Sequence, residues 1–297
     1  MATATSLTFS SPPSVWASYP KVLLGRKAKH VRDGESVPRI EAHLTRVRID
    51  AGHLGQYRAV CGAPAGEELP PAYPHVLAMP LHIAMLTCDA FPVQLLGLVH
   101  VGNRIEQQRP VLPGEIGELR AVLEGHRETD RGQEFDMHTD LLAKDGTPMW
   151  RETCTFLARR RRKKGDGRTA QESRTDDPQP DAVSSTSFRA DASIGRRYGW
   201  VSGDVNPIHL ADLSARAFGF DRAIAHGMWS LARCAAELGP GAFAKPCVFD
   251  VEFKLPIFLP AWVMLQSWQT SPGSTDFALR DAQGEKPHLT GSLAVDG

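Results

Sequence analysis

No run of about 20 apolar residues occurs in this chain, so a helical membrane span is not expected; the best stretch, residues 93–101, is too short and contains His100. Net charge is also missing. Lysine and arginine number 34 and so do the acids, which removes the basic field that a nucleic-acid surface needs. Cysteine is scarce and unpatterned: Cys61, Cys88, Cys154, Cys234 and Cys247 are odd in number, scattered, and without paired metal spacing. Reduced thiols in a cytoplasmic setting, with no disulfide framework and no metal site, are the expectation. The first thirty residues contain no acid and are rich in Ser and Thr, but they lack the cationic start and continuous apolar core of a secretory signal. An organelle transit peptide stays open.

With 297 residues, 42% apolar and 23% charged, the chain has the composition of a soluble globular protein with one large domain or two ordinary ones. A worn internal repeat favours two. Residues 47–62 (VRIDAGHLGQYRAVCG) align without gaps to residues 188–203 (FRADASIGRRYGWVSG), with Arg48, Asp50, Ala51, Tyr57, Val60 and Gly62 meeting identical partners. Residues 107–110 resemble 253–256 in the same way, each reading as a strand entering a proline bend. Strands are expected at 40–49, 115–126, 134–144 and 148–159, and again at 262–270, 275–280 and 288–295. Residues 15–24 read as a short helix or an entry arm and 81–91 as a longer helix, in which His82 packs or caps. Trp150, Trp262 and Trp268 read as sheet packing. Between the copies, residues 159–183 are charged, polar and aperiodic, a flexible linker opening on six consecutive basic residues that could meet substrate phosphates.

Unusual chemistry is concentrated in residues 198–227 (YGWVSGDVNPIHLADLSARAFGFDRAIAHG). Gly203 permits a tight turn. Asn206-Pro207 reads as the cap and first residue of a helix running to Phe218 and stopped by Gly219. That helix would hold His209 in its first turn, where the macrodipole disfavours imidazolium while a neighbouring Asp204 favours it. A second helix is expected from His226-Gly227 through Met228, Leu231, Ala235 and Leu238 to Gly239-Pro240. The Gly227 N–H would then sit in the unsatisfied first turn, able to receive charge growing on a carbonyl oxygen. Alone, Asp-Xaa-Asn-Pro is a capped turn and His-Gly a loop. In one ordered run they supply an acid, a base and an oxyanion donor.

Tyr198, Val201, Ser202-Gly203-Asp204, Asn206-Pro207-Ile208-His209, Ala215 and Ala225-His226-Gly227-Met228 resemble the signature of the MaoC-like (R)-specific enoyl-thioester hydratases. The resemblance implies an α+β double hot-dog fold, two fused units in which a curved antiparallel sheet wraps a long helix. It implies syn hydration of trans-2-enoyl thioesters to (R)-3-hydroxyacyl thioesters, or the reverse, without a cofactor. Asp204 and His209 would then activate water, Asn206 and Ser202 would support them, and the Gly227 N–H would bind the thioester oxygen. Tyr198, Gly203, His226 and Met228 would contact substrate, an acyl-coenzyme A or acyl-carrier-protein thioester; a homodimer is left open. The first copy lacks these groups, with Ala63 in place of Asp204, Pro80 opposite Gly227, and no Asn-Pro-Ile-His segment. Residues 1–158 are therefore expected to form a degenerate unit that shapes the acyl pocket, and residues 184–297 the catalytic unit. Two alternatives differ in outcome: a hot-dog thioesterase using Glu237, or a non-catalytic acyl-thioester-binding protein.

Overall fold

Alternating buried and open side chains build long strands in both halves; in the strand at Gly132–Ala143, Phe135, Met137, Thr139 and Leu141 point to one buried face. The computed structural model describes residues 4–24, 27–160 and 184–296. In the first half these form β1 (Thr5–Phe9), α1 (Val15–Leu24), β2 (Ile40–Leu44), α2 (Ala51–Cys61), α3 (Tyr73–Thr87) and β3 (Leu98–Gln107). Strands β4 (Ile116–Leu123), β5 (Arg127–Thr129), β6 (Gly132–Ala143) and β7 (Pro148–Arg159) complete it. The second half has β8 (Ser184–Ala190), α4 (Ile194–Ser202), α5 (Asp212–Ala217), α6 (Gly227–Leu238) and β9 (Cys247–Phe253). It ends with β10 (Ala261–Ser271), β11 (Ser274–Asp281) and β12 (Pro287–Val295).

From its outer edge the first half runs β2-β4-β6-β7-β3, and the second runs β8-β10-β11-β12-β9. The order is the same, and the matching helices lie between β2 and β3 in the first half and between β8 and β9 in the second. Strands β3 and β9 pair antiparallel, from Gly102 opposite Glu252 to Gln107 opposite Cys247, and so join both halves into one sheet. Strand β1 extends the first edge in parallel with β2. This is the α+β double hot-dog fold expected from the sequence. The repeat is visible locally too. Gly62 and Gly203, matched in the alignment, both adopt left-handed conformations (φ 66° and 78°) that end α2 and α4. The halves also meet through the Trp229 indole N–H, which donates to the Val60 carbonyl at 3.0 Å.

Several boundaries differ from expectation. The strand expected at 40–49 stops at Leu44, because Asp50 turns the chain and caps α2 by accepting from the His53 N–H at 2.7 Å. The helix expected at 81–91 is α3, which starts at Tyr73; Pro80 therefore lies inside it rather than before it. Its start was hidden because α3 is buried on nearly every side, which erases the amphipathic period. The helix expected from Asn206 to Phe218 is broken: Pro207–His209 make one 3-10 turn, and α5 begins only at Asp212. Trp150 is fully buried and donates to Pro71 O at 2.8 Å, whereas Trp262 is 57% exposed and packs little. Strand β7 extends to Arg159, the first residue of the expected linker, and 161–183, with most of the basic run, lie outside the described residues.

Candidate active site

Helix α4 ends at Gly203, whose left-handed backbone swings the chain out of the helix and into the site. The next residues hold one another by short polar links. The Asp204 N–H donates to Ser202 Oγ at 3.2 Å, and the Asn206 N–H donates to Asp204 Oδ1 at 3.2 Å. Asn206 caps the 3-10 turn by accepting from Ile208 N–H. That turn presents His209, which is 8% exposed. The His209 Nδ1–H donates to the Ile224 carbonyl at 2.8 Å, so Nε2 keeps its lone pair.

His226, the cap of α6, stacks on His209 with ring centroids 3.7 Å apart. Its Nε2–H donates to the Asp204 carbonyl at 2.9 Å and lies 3.9 Å from Asp204 Oδ2, while its Nδ1 is buried without a partner. A carboxylate oxygen of Asp204 and a ring nitrogen from each of His209 and His226 all fall within 4.8 Å of one another. Asp204 is deep-set but keeps 34% of its side-chain surface open. Burial opposes its ionisation, yet His226, His209 and the Asn206 N–H outweigh burial and hold the carboxyl below its usual range. Burial pushes His209 down despite the opposing charge of Asp204. Burial, then His209, pushes His226 down to about 3. These shifts favour a carboxylate beside two neutral imidazoles near neutral pH. A one-turn 3-10 segment has no appreciable macrodipole, so burial takes the role that the expected helix dipole was given for His209.

Gly227 opens α6, and its N–H takes no intrahelical partner. A Cβ at Gly227 would press the Phe253 ring at 3.1–3.2 Å, so this position is held bare by packing. Of the other residues singled out, Tyr198 is buried with its hydroxyl unpartnered and its ring 5.0 Å from His226; Met228 is part of the buried core. Burial raises the Tyr198 hydroxyl well above its usual range.

Three supporting residues escaped the sequence reading. Tyr19 of α1 accepts from the Val205 N–H at 2.7 Å, pinning the loop from 184 or more residues away in sequence; burial and the Asp204 charge raise its pKa. Gly195 and Gly199 of α4 let the loop lie on the helix. A Cβ at Gly195 would overlap the His209 carbonyl oxygen, and one at Gly199 would come within 2.8 Å of the Asp204 carbonyl oxygen. In the repeat alignment, these glycines face Leu54 and Arg58, in the copy that has no such loop. That contrast was the signal available.

A fused pair of hot-dog units, with an acid and two imidazoles gathered at the start of the second long helix, is the architecture of a hot-dog hydro-lyase. Residues 171–289 match the MaoC like domain. The chain is 30% identical over 260 residues to 3-hydroxyacyl-thioester dehydratase X of Mycobacterium tuberculosis, covering 87% of this chain and 90% of that one. The crystal structure of HtdX from that organism matches with a TM-score of 0.72 at 30% identity, over 86% of this chain and all (100%) of that one. A MaoC-like dehydratase from Phytophthora capsici shares the fold, with a TM-score of 0.68 at 19% identity over 88% of this chain and 95% of that one. The chain belongs to the MaoC-like dehydratase family. Among the described residues no helix is long and apolar enough to cross a membrane.

Proposed function

We propose that the chain catalyses reversible dehydration of (R)-3-hydroxyacyl thioesters to trans-2-enoyl thioesters by syn chemistry. The observation that carries this reading is the meeting of Asp204, His209 and His226 nitrogen and oxygen atoms within 4.8 Å, at the residue that precedes the bare Gly227 N–H. The name of the mycobacterial relative supports a hydroxyacyl thioester as substrate. In the hydration direction, the thioester carbonyl accepts from the Gly227 N–H, which stabilises the enolate-like oxygen as charge grows there. Water sits between Asp204 and His209, one of which takes a proton as oxygen bonds to C3; C2 gains a proton on the same face. The two groups interact closely enough that which of them takes the proton is a property of the pair. Asn206 and Ser202 keep the Asp204 loop in place.

The second half carries the chemistry in this reading, and the first half borders the acyl chain. Installing Ala63→Asp with Pro80→Gly is expected to leave the hydration rate unchanged, in contrast to Asp204→Ala. The thioesterase alternative loses ground on geometry: Glu237 sits near the end of α6 and is ion-paired to Arg233. The test follows absorbance of the conjugated enoyl thioester together with free thiol. Absorbance loss without thiol is the expected result, thiol release would mark a thioesterase, and no change a binder. Asp204→Asn and His209→Ala are each expected to lower kcat by at least ~100-fold with modest change in KM; near-normal turnover in both would sink the assignment.

A further inference from the structure

The first half buries a second group of chemistry-bearing side chains that the proposed reaction does not use. His75 and His82 are seven residues apart on α3, two turns along one helix face. Glu152 and Cys154 are two apart on β7, on one strand face. The fold brings the two faces together in the buried interior: all four residues are at most 2% exposed. One donor atom from each lies within 4.8 Å of the other three. His75 Nδ1 is 2.9 Å from both Glu152 oxygens and 3.8 Å from Cys154 Sγ. A tetrahedron with metal–donor bonds of about 2.0–2.3 Å has edges of about 3.3–3.8 Å, so His75 Nδ1 is within a few tenths of an ångström of such an edge to Glu152 and Cys154, and no donor pair need close by more than about 1.5 Å.

The polar neighbours point the same way. His82 Nε2 meets Thr139 Oγ1 at 2.8 Å, and the Asn103 amide donates to Glu152 Oε1 at 2.7 Å and to Cys154 Sγ at 3.4 Å. Such outer hydrogen bonds orient metal ligands. Yet His82 Nδ1, His75 Nε2 and Asn103 Oδ1 are buried with no partner, and buried polar atoms are seldom left so. With the Nε2 proton given to Thr139, the His82 Nδ1 lone pair lacks any donor. A cation supplies what that nitrogen is missing.

We propose that His75, His82, Glu152 and Cys154 bind a structural divalent transition-metal ion of the zinc class. Thiolate and imidazole donors select such an ion over magnesium or calcium. Four protein donors in a sealed interior leave no open coordination position, which marks a structural rather than a catalytic site. On binding, the Cys154 thiol proton leaves to solvent and the hydrogen on His75 Nδ1 moves to the unpartnered Nε2, so the ring ligates as a neutral imidazole. The ion's two positive charges, the Glu152 carboxylate and the Cys154 thiolate then sum to zero, so a neutral centre replaces a buried lone carboxylate. The ion would clamp α3 to β7 beside the proposed active site: His100 lies 6.1 Å from the His75 ring and 5.1 Å from the Phe253 ring that packs on Gly227. Sequence spacing could not show this, since the four donors come from two elements far apart in the chain.

The test uses the full chain, purified with zinc present and dialysed, with metal content measured by mass spectrometry and cobalt(II) titrated into metal-stripped protein. One equivalent of zinc and a thiolate-to-cobalt charge-transfer band are expected. Cys154→Ser should abolish the band while Cys234→Ser keeps it, and His82→Gln should weaken cobalt binding at least about tenfold. Zinc should raise the thermal midpoint of the wild-type chain. A folded wild-type chain that takes up no stoichiometric zinc or cobalt overturns the proposal, and needs no variant to do so. So does a band that survives Cys154→Ser, which would put the ion on other donors.

Discussion

Gly195→Ala changes no group that touches substrate, yet it should disable the site. The added methyl would overlap the His209 carbonyl oxygen and come within 3.0 Å of its carbon, so the 3-10 turn must retreat from α4. Relieving that overlap takes on the order of 1 Å, and a misplacement of this size costs about 100-fold in rate. Stability should change much less. Alanine in a helix gains about 1 kcal/mol over glycine, against about 1–3 kcal/mol for overpacking, so the net loss should be about 0–2 kcal/mol. Gly55→Ala is the matched control: it lies in α2, where a Cβ would meet nothing within 4 Å. It should stabilise the fold by about 0.5–1 kcal/mol with unchanged kinetics. Steady-state kcat from enoyl absorbance and urea unfolding would be measured on both. Wild-type kcat in a folded Gly195→Ala protein would refute the claim that close packing of the loop on α4 sets the His209 position.

The pH profile is the next test. Asp204 and His209 are both held below their ordinary pKa values, so kcat/KM should be flat near neutrality and fall on the acid side, with a midpoint below about 6.5. A midpoint above that value would contradict neutral His209 in the resting site. Stability should follow the same sign through His226, whose pKa is depressed on folding to about 3: its contribution is complete above about pH 6.5 and is lost as pH falls toward about 3. Urea unfolding across that range would read it. Trp229→Phe removes the indole donor to Val60 O between the two halves and should destabilise by about 1–3 kcal/mol, again by urea unfolding; an unchanged midpoint would show that bond to be dispensable.

Much of the fold was legible because its signals are local. Alternating side chains marked the hairpin strands β4, β6, β7, β10, β11 and β12, though not the joining strands β3 and β9, and Gly239-Pro240 marked the end of α6. The aligned repeat put Gly62 on Gly203, two left-handed helix ends that only glycine adopts easily. The site stretch was legible because Asp204, Asn206, His209 and Gly227 follow one another within one short run. The start of α3 was not, since a helix buried all round carries no amphipathic stripe.

The amino-acid order alone thus determined the duplication, the strands β2, β4, β6, β7, β10, β11 and β12, and which residues could act as acid, base and oxyanion donor. Only the tertiary structure decided that His226 stacks on His209, that Tyr19 pins the loop, and that His75, His82, Glu152 and Cys154 converge. The reason is physical. Backbone preferences and side-chain alternation act over a few residues and are written in order, whereas stacking, burial and shifted pKa values depend on neighbours that the chain supplies from far away.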